Sequence, residues 1–152
     1  MKNLLFSVLL CFFSVAAFSQ GRTLTVNNNT GCWVYYRVLT GVPGTCTISL
    51  ASGTIALAPW GSVTYNASSD IPGFPPTPLY HVLSAAVLSG PASCALTPAT
   101  WQVGEPCTGM PIMALGYTID PACTSICMQN RITWTSANPP FVGGHAILNF
   151  TP

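Results

Sequence analysis

The sequence predicts an all-β fold, an antiparallel two-sheet β-sandwich of eight or nine short strands held by disulfides. Three observations carry that prediction. Apolar residues recur with a period of two in short runs, turn-forming clusters interrupt these runs about every ten to twelve residues, and a chain with 5% charged residues holds seven cysteines. Two sheets packed face to face bury such alternating rows, and a small β-barrel is the alternative closure of the same strands.

The first nineteen residues have the order of a secretory signal: Lys2, an apolar run over 4–17, then Ala17 and Ser19 at the −3 and −1 places of a cut before Gln20. A cut after Ala17, with Val15 at −3, is the alternative. The run has fourteen residues where a bilayer core needs about twenty, so cleavage is expected and no integral membrane segment remains. Cys11 leaves with this leader, and Leu10 before it is not the small residue a lipid-attachment site needs. Residues 20–152 then form a single β-sandwich domain, secreted or on the extracellular surface.

Residues 22–27 alternate, with Leu24 and Val26 on one face and Thr23 and Thr25 on the other, before the turn Asn27-Asn28-Asn29-Thr30-Gly31. The run 32–39 is apolar on both faces, as in a central strand, with Trp33 and Tyr35 opposite Val34, Tyr36 and Val38. Gly41, Pro43 and Gly44 reverse the chain into 46–50. Strands 54–57 and 62–66 flank the tight turn Ala58-Pro59-Trp60-Gly61, which makes a second hairpin or a switch between sheets. Four prolines and Gly73 make 70–78 an extended surface loop. Helical spacing of Leu83, Ala86 and Val87 competes with strand over 80–89, and the bounding prolines decide for strand. Further strands follow at 100–103, 111–119, 129–136 and 145–150. Strands at both chain ends place the first and last at or near sheet edges, where open backbone can recruit another chain.

After leader removal Cys32, Cys46, Cys94, Cys107, Cys123 and Cys127 remain, an even number in an exported chain, which favours three disulfides over a zinc site. Sequence proximity favours Cys32 with Cys46, Cys94 with Cys107 and Cys123 with Cys127, with exchanges among the last four open.

Arg22, Arg37 and Arg131 then balance Asp70, Glu105 and Asp120, leaving no net formal charge and no cluster of cations for nucleic acid or anionic membrane. A surface without charge repulsion associates readily. The catalytic inventory is sparse: His81 and His145, three carboxylates, no Gly-x-Ser-x-Gly elbow and no phosphate-binding loop. The carboxylates sit beside turn residues, where an acid caps or closes a turn, and the histidines read as packing residues rather than metal ligands. The expectation is no catalytic residue, no cofactor and no metal.

The aromatics carry the remaining signal. Trp33, Trp101 and Trp134 lie in strands and are expected in the core. Trp60 lies in a turn where burial is harder, and with Phe74 and Phe141 it marks a candidate binding or assembly surface at one end of the sandwich. Sequons occur at Asn28, Asn66 and Asn149. The first strand, the Asn-rich turn and Cys32, followed by Leu57-Ala58-Pro59-Trp60-Gly61-Ser62, resemble the start of thaumatin-like sandwiches. The later chain lacks that family's many disulfides and acidic cleft, so no site is carried over.

Two functions follow as expectations. One is a non-enzymatic structural or adhesive extracellular protein, a self-assembling surface or filament subunit whose partner is itself. The other is a module binding an extracellular glycan or protein through exposed aromatics, with a hydrolase as a distant third.

Overall fold

The computed structural model describes residues 23–75, 80–94, 99–137 and 144–152. Ten strands form two five-stranded sheets, with no closed barrel. The strands are β1 (Thr23–Asn28), β2 (Val34–Gly41), β3 (Ile48–Ala51), β4 (Ile55–Leu57), β5 (Ser62–Tyr65), β6 (His81–Leu88), β7 (Thr100–Gly104), β8 (Met113–Ile119), β9 (Ile126–Thr135) and β10 (His145–Thr151). The first sheet has the order β5-β1-β10-β9-β8. In the second, β3 and β4 line one side of β2, followed by β6 and β7.

The expected sandwich is therefore present, with ten strands rather than eight or nine. All pairings are antiparallel except β1 with β10, which run parallel with Thr23 opposite His145 and Asn28 opposite Phe150. That pair corrects the expectation that both terminal strands lie at or near edges: β1 is one strand in from the edge, between β5 and β10, but β10 is the middle strand, between β1 and β9. Edge positions fall to β5, β8, β7 and the broken β3–β4 line, because the last strand inserts beside the first instead of adding outside it.

Alternation builds the core. Leu24 and Val26 from β1, Val34, Tyr36 and Val38 from β2, Ile132 and Trp134 from β9, and Ala146, Leu148 and Phe150 from β10 face inward and are buried. The Tyr36 hydroxyl meets that of Tyr65 at 3.0 Å inside this core. Burial, with that hydrogen bond second, pushes the Tyr36 phenol well above its ordinary value. Of the expected surface loop 70–78, residues 70–75 are described: Asp70, Pro72, Gly73 and Pro75 are exposed as expected, but Ile71 is buried and Phe74 packs against the core, while 76–78 lie outside the described residues.

The registers fix which connections share an end. Asn28 beside Phe150, Ser62 beside Asn27, Val34 beside Leu57 and Tyr35 beside Leu88 put segments 29–33, 58–61 and 120–125 at one end, hereafter the upper end. Segments 42–47, 66–75 and 105–112 lie at the lower end.

All three proximity pairings of cysteines are overturned. The disulfides are Cys32–Cys127, Cys46–Cys107 and Cys94–Cys123, with Cα separations of 6.2, 5.7 and 5.5 Å. The β2–β3 hairpin pairs Gly41 with Ile48, which puts Cys46 at the lower end, while Cys32 precedes β2 at the upper end. Seven residue steps of β2 alone hold them roughly 23 Å apart. Likewise β7 separates Cys94 from Cys107. Two bridges tie the β8–β9 tip to the second sheet at the upper end, and the third closes the lower end between the segments before β3 and after β7. Loops of 95, 61 and 29 residues are closed. Loop entropy puts their individual stabilisation at about 3.6 to 4.7 kcal/mol, against about 2 to 3 for the proximity pairings.

Candidate functional site

At the upper end the chain leaves the second sheet through β4 and enters the first through β5, and the connection is one tight turn. Gly61 N–H donates to Ala58 O at 3.1 Å, with Pro59 at the second turn position and Trp60 at the third. Proline presets the second position, while a type II turn needs positive φ at the third, where glycine or asparagine is usual. Trp60 occupies it with φ 59°. A non-glycine residue in this region costs about 1 to 2 kcal/mol. The indole nonetheless remains 71% exposed, so burial does not offset that cost.

The turn is held from below. Trp60 N–H donates to Thr30 O at 3.1 Å. Buried Asn28 donates through Nδ2 to Cys32 O at 2.8 Å, Ala58 O at 2.8 Å and Leu57 O at 3.3 Å. Its Oδ1 accepts from Thr30 N–H at 3.1 Å and Thr30 Oγ1 at 2.7 Å. One amide thus joins the end of β1, the β1–β2 turn and the Trp60 turn. A Cβ placed on Gly31 would come to 4.0 Å from Trp60 Cζ2, so the indole lies alongside the glycine backbone.

Trp33 and Ile126 are further exposed apolar residues at the upper end. Trp33 is 40% exposed and Ile126 62% exposed, each one residue from a cysteine of the Cys32–Cys127 bridge. Two residue steps of 3.8 Å added to that bridge keep their Cα atoms within about 14 Å. The core expectation for Trp33 is thereby corrected: its strand parity is right, but its outward face is left open. Trp134 is buried as expected, and Trp101 is half-buried against the core.

The β8–β9 tip beside this patch is closed by Asp120. Its Oδ1 accepts from Thr124 N–H at 2.9 Å, and its Oδ2 accepts from Thr124 Oγ1 at 2.6 Å, Ser125 Oγ at 2.8 Å and Ser125 N–H at 3.0 Å. The Thr124 hydroxyl bond foremost, then the Thr124 amide and the Ser125 hydroxyl, hold its carboxyl down to about 2. Burial, with the Asp120 charge second, raises the Tyr35 phenol.

The sequence-derived surface does not converge. Trp60 is at the upper end, Phe74 packs on the core from the lower end, and Phe141 lies outside the described residues. Asp70 closes a turn, accepting from Asn66 and Ala67 amides at 2.9 and 3.1 Å. Glu105 departs from that pattern: it is buried, and Oε1 accepts from Ala137 N–H at 3.0 Å and from Trp134 Nε1 at 3.4 Å, linking the sheets. His81 is buried, and His145 Nδ1 lies 2.6 Å from Thr23 Oγ1. Among the described residues no three His, Cys, Asp or Glu side chains gather as a metal site, and no helix is long and apolar enough to cross a membrane. Of the sequons, Asn28 has its amide buried and fully engaged, whereas Asn66 is exposed.

No protein-family model, curated protein or solved structure matches this chain.

Proposed function

We propose that this chain is a secreted, non-enzymatic adhesive domain that grips an uncharged extracellular glycan through its upper end. The observation that carries the reading is Trp60, an exposed indole kept at a backbone conformation that glycine would adopt without strain. An open aromatic face stacks on the apolar face of a sugar ring, and a side chain already fixed by its turn loses little freedom on binding. Trp33 and Ile126 expose further apolar area at the same end of the sandwich. The nearby carboxylate of Asp120 is engaged in its own turn, so the patch presents no free acid to a neutral ligand.

Disulfides closing such long loops suit an oxidising compartment, which supports the extracellular assignment. Asp70 and Asp120 are committed to turns and Glu105 is buried between sheets, which supports a binding role over hydrolysis. Polymerisation through the terminal strands is not carried forward, since β1 and β10 are flanked on both sides.

The test is a glycan array followed by tryptophan-fluorescence titration of the best neutral oligosaccharide. Saturable binding that weakens at least tenfold in Trp60→Ala is expected. Failure of every glycan to bind, or indifference to the substitution, overturns the proposal.

A further inference from the structure

Among the described residues β8 is an outer strand of the first sheet, laddered with β9, and just below it Gly104 N–H of the second sheet donates to Pro111 O at 3.0 Å. Two hydrogen bonds establish which of its backbone groups are uncommitted. Trp134 N–H donates to Ile112 O at 2.8 Å, so even-numbered residues address β9. Ile119 N–H points the other way, to Ser89 O at 2.6 Å. By alternation Met113, Leu115 and Tyr117 direct their N–H and C=O groups outward from the sheet edge. Leu115 is 70% exposed and Met113 51% exposed.

Edge strands are ordinarily protected by brevity, charge, proline or a bulge. β5 has four residues, β7 five, and the β3–β4 line is broken into four and three around Ser52. β8 runs for seven residues with neither a charge nor a proline, and its one register shift against β9 falls at Thr118–Ile119, above the regular stretch 113–117.

We infer that β8 pairs antiparallel with β8 of a second copy, about a two-fold axis through Leu115, to make one ten-stranded sheet. Three observations select a second copy as the occupant. The matching edge must be equally long and uncharged, and among this chain's described edges β8 alone offers that. The register is self-complementary, placing Leu115 against Leu115 of the second copy and Met113 against Tyr117, with the outward backbone groups of these three residues facing one another. The nearest charge, Arg131, sits on β9 opposite Leu115. Its two copies are then three strand spacings apart, about 14 Å, beyond the physiological screening length of about 8 Å. Trp101 packs its ring edge-on to that of Tyr117, centroids 5.2 Å apart, and buttresses the C-terminal half of the strand. The interface is small, so the dimer is reversible.

Sedimentation velocity of the oxidised protein from micromolar to millimolar concentration tests this. The wild type should pass from monomer to dimer and stop there. Leu115→Pro removes an amide that points away from β9, and Leu115→Lys places charge at the axis; each should weaken dimerisation at least tenfold. Near-UV circular dichroism checks the fold, and should the proline variant unfold, the lysine variant at this exposed position decides. Leu115→Cys supplies a direct reading, because facing Cα atoms about 5.5 Å apart lie within disulfide range. A monomer at millimolar concentration, dimers indifferent to both variants, or no covalent dimer from the cysteine variant overturns the inference. This result is separate from the glycan reading: Trp60→Ala should leave dimerisation unchanged, and the Leu115 variants should leave single-site sugar affinity unchanged.

Discussion

Replacing Trp60 by glycine and by alanine separates the cost of its conformation from the use of its ring. Both substitutions delete an indole that is 71% exposed, so each forfeits little buried area. They differ in backbone. Alanine keeps the Cβ and hence the clash at φ 59°, whereas glycine adopts that angle freely. Relief of about 1 to 2 kcal/mol is partly offset by about 0.5 to 1 kcal/mol, because glycine gives the unfolded chain more freedom. The glycine variant should therefore be more stable than the alanine variant by about 1 kcal/mol, or roughly 4 °C in Tm for a domain of this size. Urea titration with disulfides intact measures the difference, and glycan binding should be lost in both. Equal stabilities would show that the turn stores no strain, and the argument that the ring is held there for presentation would fall with it.

Asn28→Ala strips donors from three carbonyls and an acceptor from Thr30, and should cost about 3 kcal/mol in urea unfolding. Asp120 has its carboxyl lowered from its ordinary 3.8 to about 2, so its contribution is complete above pH 4 and is lost as pH falls through 2. Amide exchange at Thr124 and Ser125 should accelerate over that window while β-sheet amides hold, and Asp120→Asn should flatten the response. Peptide mapping under non-reducing conditions should recover Cys32–Cys127, Cys46–Cys107 and Cys94–Cys123. Replacing both Cys46 and Cys107 by serine should lower stability by about 4 kcal/mol. Gly116→Ala drives a Cβ to 3.1 Å from Trp101 Cδ2, and should shift the Trp101 fluorescence and cost about 1 to 3 kcal/mol.

Local physics was legible in the sequence and long-range order was not. Side-chain parity was readable residue by residue: Leu24 and Val26 inward, Val34, Tyr36 and Val38 inward, and β6 a strand despite its partial helical spacing. The turn at Trp60 was readable too, because Pro59 ahead of Trp60 and Gly61 marks a reversal locally, whereas the positive φ of Trp60 was not, since proline at the second position fits turns of either sign. Disulfide pairing failed because it follows strand order, and the insertion of β10 alongside β1 joins residues more than 120 positions apart. The same insertion moved the open edges away from the chain termini. Trp33 shows a subtler gap: alternation gives the face on which a side chain stands but not whether anything covers that face. Phe74 shows the converse, since a proline-rich segment read as solvated brought Ile71 and a ring onto the core.

The two proposed surfaces constrain each other through geometry. An axis through Leu115 that pairs β8 antiparallel with its copy reverses the strand direction of one sandwich relative to the other. The upper ends, with Trp60, Trp33 and Ile126, then face opposite poles. β9 alone spans ten residues, about 33 Å, so the two tryptophan turns stand well apart and cannot share one flat surface. Such a dimer gains no avidity on a single glycan chain, because the geometry forbids simultaneous engagement on one side. What it would gain is the ability to hold two surfaces together, each by a separate site, with few charged residues to repel one another as they approach. Weak edge pairing suits that role: the link forms where the protein is concentrated between surfaces and dissolves when it is dilute, while the disulfides keep each sandwich folded throughout.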